Sequence, residues 1–382
     1  MRHYLRHLDY LMLATVLAIS SFGLWIIENA TRHDIPGQPR YYFARQLVYV
    51  VAGVVGLVLV SAIPLAWLRR LRWPLYGFVL ATTAGVLLIG TTVRGGTRWI
   101  SFGAFQFQPS EFAKLGLILG LAGLLCTRRG NGAEGRTTWL SLAYMGLPAL
   151  LVFIEPDFGT TLVFIAIVLG MLFVMGTPIR HFVWMGLGTV VALALVFSIL
   201  PGAGVRVLQP YQTARLTAFL HPDRIDPQDA GYHITQSKIA IGHGGLDGTG
   251  VVAATQTQLR YLPEHATDFI FAVVGEERGF VGAAWLIGLY ALLVWRGLKV
   301  ITRSQSTFAS LVAAGIVSML LFQIFVNIGM TIGIAPITGI PLPFMSFGGS
   351  HTVTNLLAIG VLQAIHVHAR TPDESTRRPR LA

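Results

Sequence analysis

Charge is what this chain has least of. Only 12% of its 382 residues are Asp, Glu, Lys or Arg while 54% are hydrophobic, against about 25% charged in a soluble domain, and that excludes a soluble enzyme. Cysteine is nearly absent: the single Cys126 permits no internal disulfide and argues against a thiolate metal site. Several catalytic signatures are missing as well. IGHGGLDGTG at 241–250 is glycine-dense but carries no Gly-Lys-Ser/Thr, so it is no P-loop; it reads either as backbone approaching a ligand or the membrane edge, or as a flexible turn. There is no Gly-x-Ser-x-Gly elbow, and His243, His265 and His351 lack the spacing of a dedicated zinc site. The formal charge of +11 reflects loop bias and attraction to anionic lipid, not a nucleic-acid partner.

Long apolar runs are what the chain has instead. A membrane span needs roughly 20 apolar residues, and such runs occur at 8–28, 44–65, 74–93, 112–126, 139–154, 158–176, 180–200, 268–295, 307–335 and 350–368. The expected fold is all-α: one polytopic membrane domain, 1–382, of about ten transmembrane helices. Arg2 and Arg6 precede the first run with no small-residue cleavage site after it, so it reads as a retained anchor. Basic clusters such as RRLR at 69–72 and TRRG at 127–130 mark cytoplasmic loops, which places both termini in the cytoplasm. Residues 201–267 then form a large extracytoplasmic loop between helices seven and eight, a partly ordered lid. Residues 370–382 read as a disordered cytoplasmic tail.

The charges that remain sit at the outer helix ends. Asp268 opens the eighth run, either as its N-cap or, with Thr267 capping instead, as a working carboxylate. Deeper lie Glu276, Glu277 and Arg278, expected as a Glu–Arg pairing inside the bundle. Between helices three and four, Arg94 and Arg98 precede Pro109 and Ser110 at the helix start. Glu111 and Lys114 follow three residues apart, as a local ion pair or as a cavity-facing cation and carboxylate suited to a diphosphate with its metal ion. Arg40 and Arg45 flank the second helix, and Asp157, beside Glu155, caps the sixth. Pro336, Pro341, Pro343, Gly348 and Gly349 imply an irregular, protein-covered segment beside a cavity.

RWISFGAFQFQPSEFAKL (98–115), EPDFGTTLVF (155–164), AFLHPDRIDPQDAGYHITQSKIAIGHGG (218–245), LPEHATDFIFAVVGEERGFVG (262–282) and TGIPLPFMSFGGS (338–350) closely resemble, in order, the SEDS family of cell-wall proteins. Ile340 to Pro343 resembles the rod-shape branch more than the division branch. His243, Phe347 and His351 depart from the family's usual Ser, Tyr and Ser. The resemblance implies a peptidoglycan glycosyltransferase that polymerises lipid II at the outer face of the cytoplasmic (inner) membrane during elongation, with Asp268 as general base. It also implies lipid II contacts from Arg45, Arg98, Glu111, Lys114, Glu264, Ser346, Gly348, Gly349 and Ser350, and a divalent cation, Mg²⁺ or Mn²⁺, for which Asp268 or Glu111 is a candidate ligand. The implied partners are a class B penicillin-binding protein and elongation proteins such as MreC and MreD. The competing reading from another class is a lipid II flippase, which would need polar stations through the whole membrane depth.

Overall fold

The computed structural model describes residues 7–93, 96–102, 105–128, 134–195 and 230–370. It is a helical bundle. Long helices run over α1 (Tyr10–Ala30), α2 (Tyr41–Ser61), α3 (Leu65–Ile89), α4 (Pro109–Arg128), α5 (Glu134–Ile154), α6 (Phe158–Met175) and α7 (Ile179–Ala194). After α8 (Ala230–Gly244) and two single turns, α9 (Gly250–Ala253) and α10 (Thr255–Gln258), come α11 (Ile270–Arg303), α12 (Thr307–Ile332) and α13 (Gly349–Arg370). Among the described residues nine helices are long and apolar enough to cross a membrane. The expected run at 180–200 is described only as the 16 residues of α7.

Each of the ten expected spans overlaps a helix, the one at 180–200 only as far as it is described, and the differences have physical causes. The runs at 112–126 and 139–154 are the apolar parts of α4 and α5, which extend to 20 and 21 residues once their polar ends are included. Likewise α3 begins at Leu65 and continues through Arg69, Arg70, Arg72 and Pro74. Long arginine side chains keep their charge in the interface while their stems cover apolar surface, so a basic stretch need not end a helix. The all-α expectation misses a three-stranded antiparallel ribbon of β1 (Thr91–Val93), β2 (Gly96–Phe102) and β3 (Phe105–Phe107). It leads the chain from α3 into Pro109, the first residue of α4, where a missing N–H costs nothing.

Helices α4, α12 and α13 form the buried centre. Along α2 packs α13, close enough that a Cβ on Gly360 would lie 2.7 Å from the Leu57 carbonyl; small residues permit such backbone approach in membranes. At the far end Arg296 pairs with Asp9 at 2.6 Å, and Gln363 exchanges two hydrogen bonds with the Asp9 backbone. These bonds tie α1, α11 and α13 together.

Of the expected lid, 201–229 lies outside the described residues, as do Arg94 and the tail 371–382. The described part is anchored. Ser237 donates to the Thr331 carbonyl at 2.8 Å, and Asp34 receives Arg260 at 3.3 Å and His265 at 3.2 Å. The glycine-dense turn after α8 packs backbone to backbone on α11, and does not form a cradle for a ligand. Phe280 and Val281 donate their amides to the Gly245 and Leu246 carbonyls at 2.9 and 3.1 Å.

That insertion occupies a break in α11, where Gly279 has φ 62° and ψ −161°. Such a conformation is essentially restricted to glycine. The expected Glu–Arg pairing is absent around the break. Glu276, fully buried, instead accepts the Gln256 and Thr257 amides at 2.8 and 3.0 Å and the Thr257 hydroxyl at 2.7 Å, while the Arg278 guanidinium lies 4.0 Å from the Trp25 ring centroid. Gly279→Ala is therefore expected to cost about 2 kcal/mol or more, read as a lowered melting midpoint in detergent. Gly37→Ala, also at positive φ (78°) but with nothing within 4 Å of the added carbon, should cost only about 1 kcal/mol. Equal losses would mean that the packed break is dispensable.

Candidate active site

The site is built where five helices begin. The turn before α11 folds back on itself: the Glu264 carbonyl, on a residue with φ 53°, accepts the Thr267 and Phe269 amides at 3.1 and 3.2 Å. The N-cap of α11 is Phe269, whose side chain makes no capping bond, so Asp268 stands one residue outside the helix. Thr267 does not cap either; its hydroxyl donates to the Glu264 carboxylate at 3.0 Å. Asp268 is half-buried and so reaches the surface of the bundle.

Buried polar side chains hold this turn in place. Asn327, in the last turns of the apolar α12, donates from one Nδ2 to the Asp268 and Ile340 carbonyls, both at 2.8 Å. The Ser346 hydroxyl donates to the Thr267 carbonyl at 2.5 Å and accepts the Leu342 amide at 2.8 Å, while the Phe347 amide reaches the Ala266 carbonyl at 2.8 Å. Residues 334–348 are non-helical and mostly buried, as the clustered prolines and glycines led us to expect.

From this segment hydrogen bonds continue through four more helix starts. Gln46 of α2 donates from Nε2 to the Ser346 carbonyl at 3.2 Å and to the Thr352 hydroxyl at 2.9 Å, and its Oε1 accepts the Gly348 amide at 3.1 Å. Ser350, at the start of α13, accepts the Gln108 amide at 2.9 Å, just ahead of α4. The Gln108 side chain and the Ser110 hydroxyl both donate to Asp157 at 3.2 Å. Asp157 is the N-cap of α6, as expected, and accepts from the Thr160 amide.

The expected site residues thus fall into separate groups. Ser346 and Ser350 are buried and committed to backbone. Gly348 and Gly349 are half-buried; a Cβ on Gly349 would press on the Tyr49 ring at 3.0 Å, whereas one on Gly348 would meet only His351 Cβ at 3.7 Å. Arg45, half-buried beside Gln46, contacts its own helix through the Tyr41 hydroxyl at 2.5 Å. Arg40 instead pairs with Glu28 at 3.1 Å. Arg98 donates to the Glu155 carbonyl at 3.2 Å and to the Pro156 carbonyl, and lies 4.0 Å from Asp157.

Glu111 and Lys114 face each other at 2.7 Å with side chains only 4% and 2% exposed, and His351 meets the other Glu111 oxygen at 3.1 Å. Of the two readings of this pair, the geometry matches the local ion pair and not a cavity-facing one. Glu111, with both oxygens engaged, does not fit a metal, and the described residues hold no group of three His, Cys, Asp or Glu suited to one. Asp268 fits as one ligand of an ion that arrives on a diphosphate, because Mg²⁺ is usually held by one or two carboxylates, substrate phosphates and water.

Glu155 is buried with neither carboxylate oxygen hydrogen-bonded. Burial, reinforced by Asp157 and opposed by Arg98, pushes its carboxyl up to about 8, so it is protonated at neutral pH. Sequence reasoning passed over Gln46, Gln108 and Asn327. A lone amide in an apolar helix is costly unless paired, and that cost was the signal that could have found them.

Comparison with known proteins gives a consistent result. Residues 6–371 match the cell-cycle protein family FtsW/RodA/SpoVE. The peptidoglycan glycosyltransferase MrdB of Escherichia coli K12 is 37% identical over 369 residues, covering 97% of this chain and 96% of its own. A chain from a peptidoglycan synthase complex that coordinates polymerization and crosslinking superposes with a TM-score of 0.79 at 30% identity, covering 95% of this chain and 99% of that one. The crystal structure of the rod shape determining protein RodA of Thermus thermophilus gives 0.69 at 29% identity, with 95% and 98% covered. From motifs, fold and relatives together, this chain belongs to the SEDS family of FtsW, RodA and SpoVE.

Proposed function

We infer that this chain is a peptidoglycan glycosyltransferase that polymerises lipid II, acting in cell elongation as RodA does. The observation that carries this reading is Asp268: a carboxylate at the surface of the bundle, with its backbone held by Asn327 and the neighbouring carbonyl by Ser346. The basic-loop bias supports an orientation with this end of the bundle outside the cytoplasmic membrane and both termini inside.

In the proposed reaction Asp268 takes the proton of the acceptor sugar's 4-hydroxyl as that oxygen bonds to the donor's anomeric carbon. The bond from that carbon to the diphosphate breaks, with inversion, and undecaprenyl diphosphate departs with the electron pair. A divalent cation, Mg²⁺ or Mn²⁺, would supply charge neutralisation to the diphosphate when bound beside Asp268. Five helix N-termini meet at this end, and their partial positive charge favours an anion there. Arg45, and the space over Gly348 where a Cβ would meet only His351, are the features placed to receive sugar or diphosphate. Glu264 orders the Thr267 hydroxyl beside the base. Glu111, Lys114 and Arg98 act by positioning α4 and the 155–157 turn, and protonated Glu155 adds no charge that would repel the substrate.

A class B penicillin-binding protein is the proposed partner, supported by the synthase complex in which a similar chain sits, with MreC and MreD as further members of the assembly. The flippase reading draws on the buried Glu276 and Glu277 and the half-buried Arg278 at the α11 break. Vesicles that translocate lipid II without making polymer would favour it.

Asp268→Asn is expected to cut glycan synthesis from lipid II, in the presence of the partner and Mg²⁺ or Mn²⁺, by about 10²- to 10⁴-fold on a gel, with an unchanged melting midpoint. Retained polymer would remove the base from the scheme. Lys114→Met leaves Glu111 short of its cation and should destabilise by about 3–5 kcal/mol, most of it recovered in Glu111→Gln/Lys114→Met; the midpoints of the three proteins check this. For Glu155 the folded state keeps its proton to about pH 8, while the unfolded state loses it near the ordinary 4.5. Stability should therefore fall as pH rises between those values. Glu155→Gln should flatten that part of the midpoint-against-pH curve, and an unaltered slope would contradict the assignment.

A further inference from the structure

The end of the bundle opposite Asp268 holds a feature that sugar polymerisation does not use. The separation follows from α4. It starts at Pro109 in the site and carries Cys126 seventeen residues later, about 25 Å along the axis. There Cys126 helps line a cavity of about 750 Å³, with Arg69, Arg70, Arg72 and Trp73 of α3 and Ser306 at the start of α12. Among the described residues no acidic side chain lines it.

The arginines are not neutralised from within the cavity wall. Nη1 of Arg72 is buried and has no hydrogen-bond partner. Its guanidinium lies against Gly123, where a Cβ would fall 2.7 Å from Nη1, and 5.7 Å from the Trp73 ring centroid. Arg70 lies 5.8 Å from that of Trp67. Both α3 and α12 begin at this cavity, adding the positive ends of their dipoles. A buried N–H without an acceptor, beside two more guanidiniums and two helix starts, calls for an oxyanion.

The exposed face of α3 indicates which molecule carries it. Trp67, Leu71 and Phe78 are 54%, 42% and 57% exposed and share one side of the helix by their spacing. This apolar strip lies on the side of α3 turned away from Arg69 and Trp73, and Trp73, itself 51% exposed, brings the apolar surface of the same helix round to the rim of the cavity. Tryptophan at the mouth places the cavity at the level of lipid headgroups. We propose that this cavity binds the phosphate headgroup of an anionic phospholipid, with its acyl chains lying along the outer face of α3. The site is independent of the glycosyltransferase reading and stands or falls separately from it.

Native mass spectrometry of the purified full chain, titrated with phosphatidylglycerol or phosphatidylcholine, tests this. The wild type should retain phosphatidylglycerol selectively. Each arginine removed should lower retention about fivefold, the equivalent of about 1 kcal/mol per charge near a membrane surface. Arg72→Gln probes the buried contact; Arg69→Gln/Arg70→Gln, at exposed positions, reads the same loss if the first variant folds poorly, and Arg180→Gln at the start of α7 is the charge control. Wild-type retention in the double variant, an equal loss in Arg180→Gln, or no preference over phosphatidylcholine would overturn the proposal. So would displacement of the lipid by millimolar glycerol phosphate, which would mark a site for free phosphate.

Discussion

An amide that leaves a helix inside a bilayer has no water to turn to, and the arrangement around Asp268 follows from meeting that need. Residues 334–348 give up helical geometry among membrane helices, so their peptide groups must be satisfied by protein. Asn327, Ser346 and Gln46 do this, from α12, from the segment itself and from α2. Each of them also bonds to a neighbouring element, and the same atoms that satisfy the irregular backbone fix the turn that carries Asp268. Support of the fold and alignment of the carboxylate are therefore one interaction seen from two sides.

The buried charges follow a related logic at shorter range. Each is placed where a helix junction supplies compensation: Glu276 against two amides and a hydroxyl, Asp9 against Arg296, Glu111 between Lys114 and His351. Glu155 and Glu277 are the carboxylates whose oxygens lack hydrogen bonds among the described residues. The first lies in the turn held by Arg98, the second beside the Gly279 break. The His351 ring completes the Glu111 cluster.

What could be read in the sequence follows the range of the interactions. The apolar runs and the Pro109 and Asp157 helix starts are local signals; nine runs are found as membrane-length helices among the described residues, and both starts stand where expected. The full length of α3 was hidden because arginines in an interfacial turn look like a loop. The ribbon at 91–107 was hidden because three short strands leave little periodicity. The partners of Glu276 could not be read at all: Gln256 and Thr257 lie about twenty residues upstream, joined to it only by the fold. The irregular character of 334–348 is plain from its prolines and glycines. The amides that make it tolerable are not, since a glutamine in α2 is unremarkable until its partners some 300 residues away are known.

That glutamine has a consequence of its own. Gln46 acts as donor at one end of its amide and acceptor at the other, toward a carbonyl, a hydroxyl and a peptide N–H whose positions are set by α13. A glutamate there could not donate, a lysine could not accept, and an asparagine would be one methylene short. The start of α2 and the start of α13 are in this way joined by a polarity-sensitive latch whose chemistry admits one side chain, so the register between these two helices is written in a single functional group.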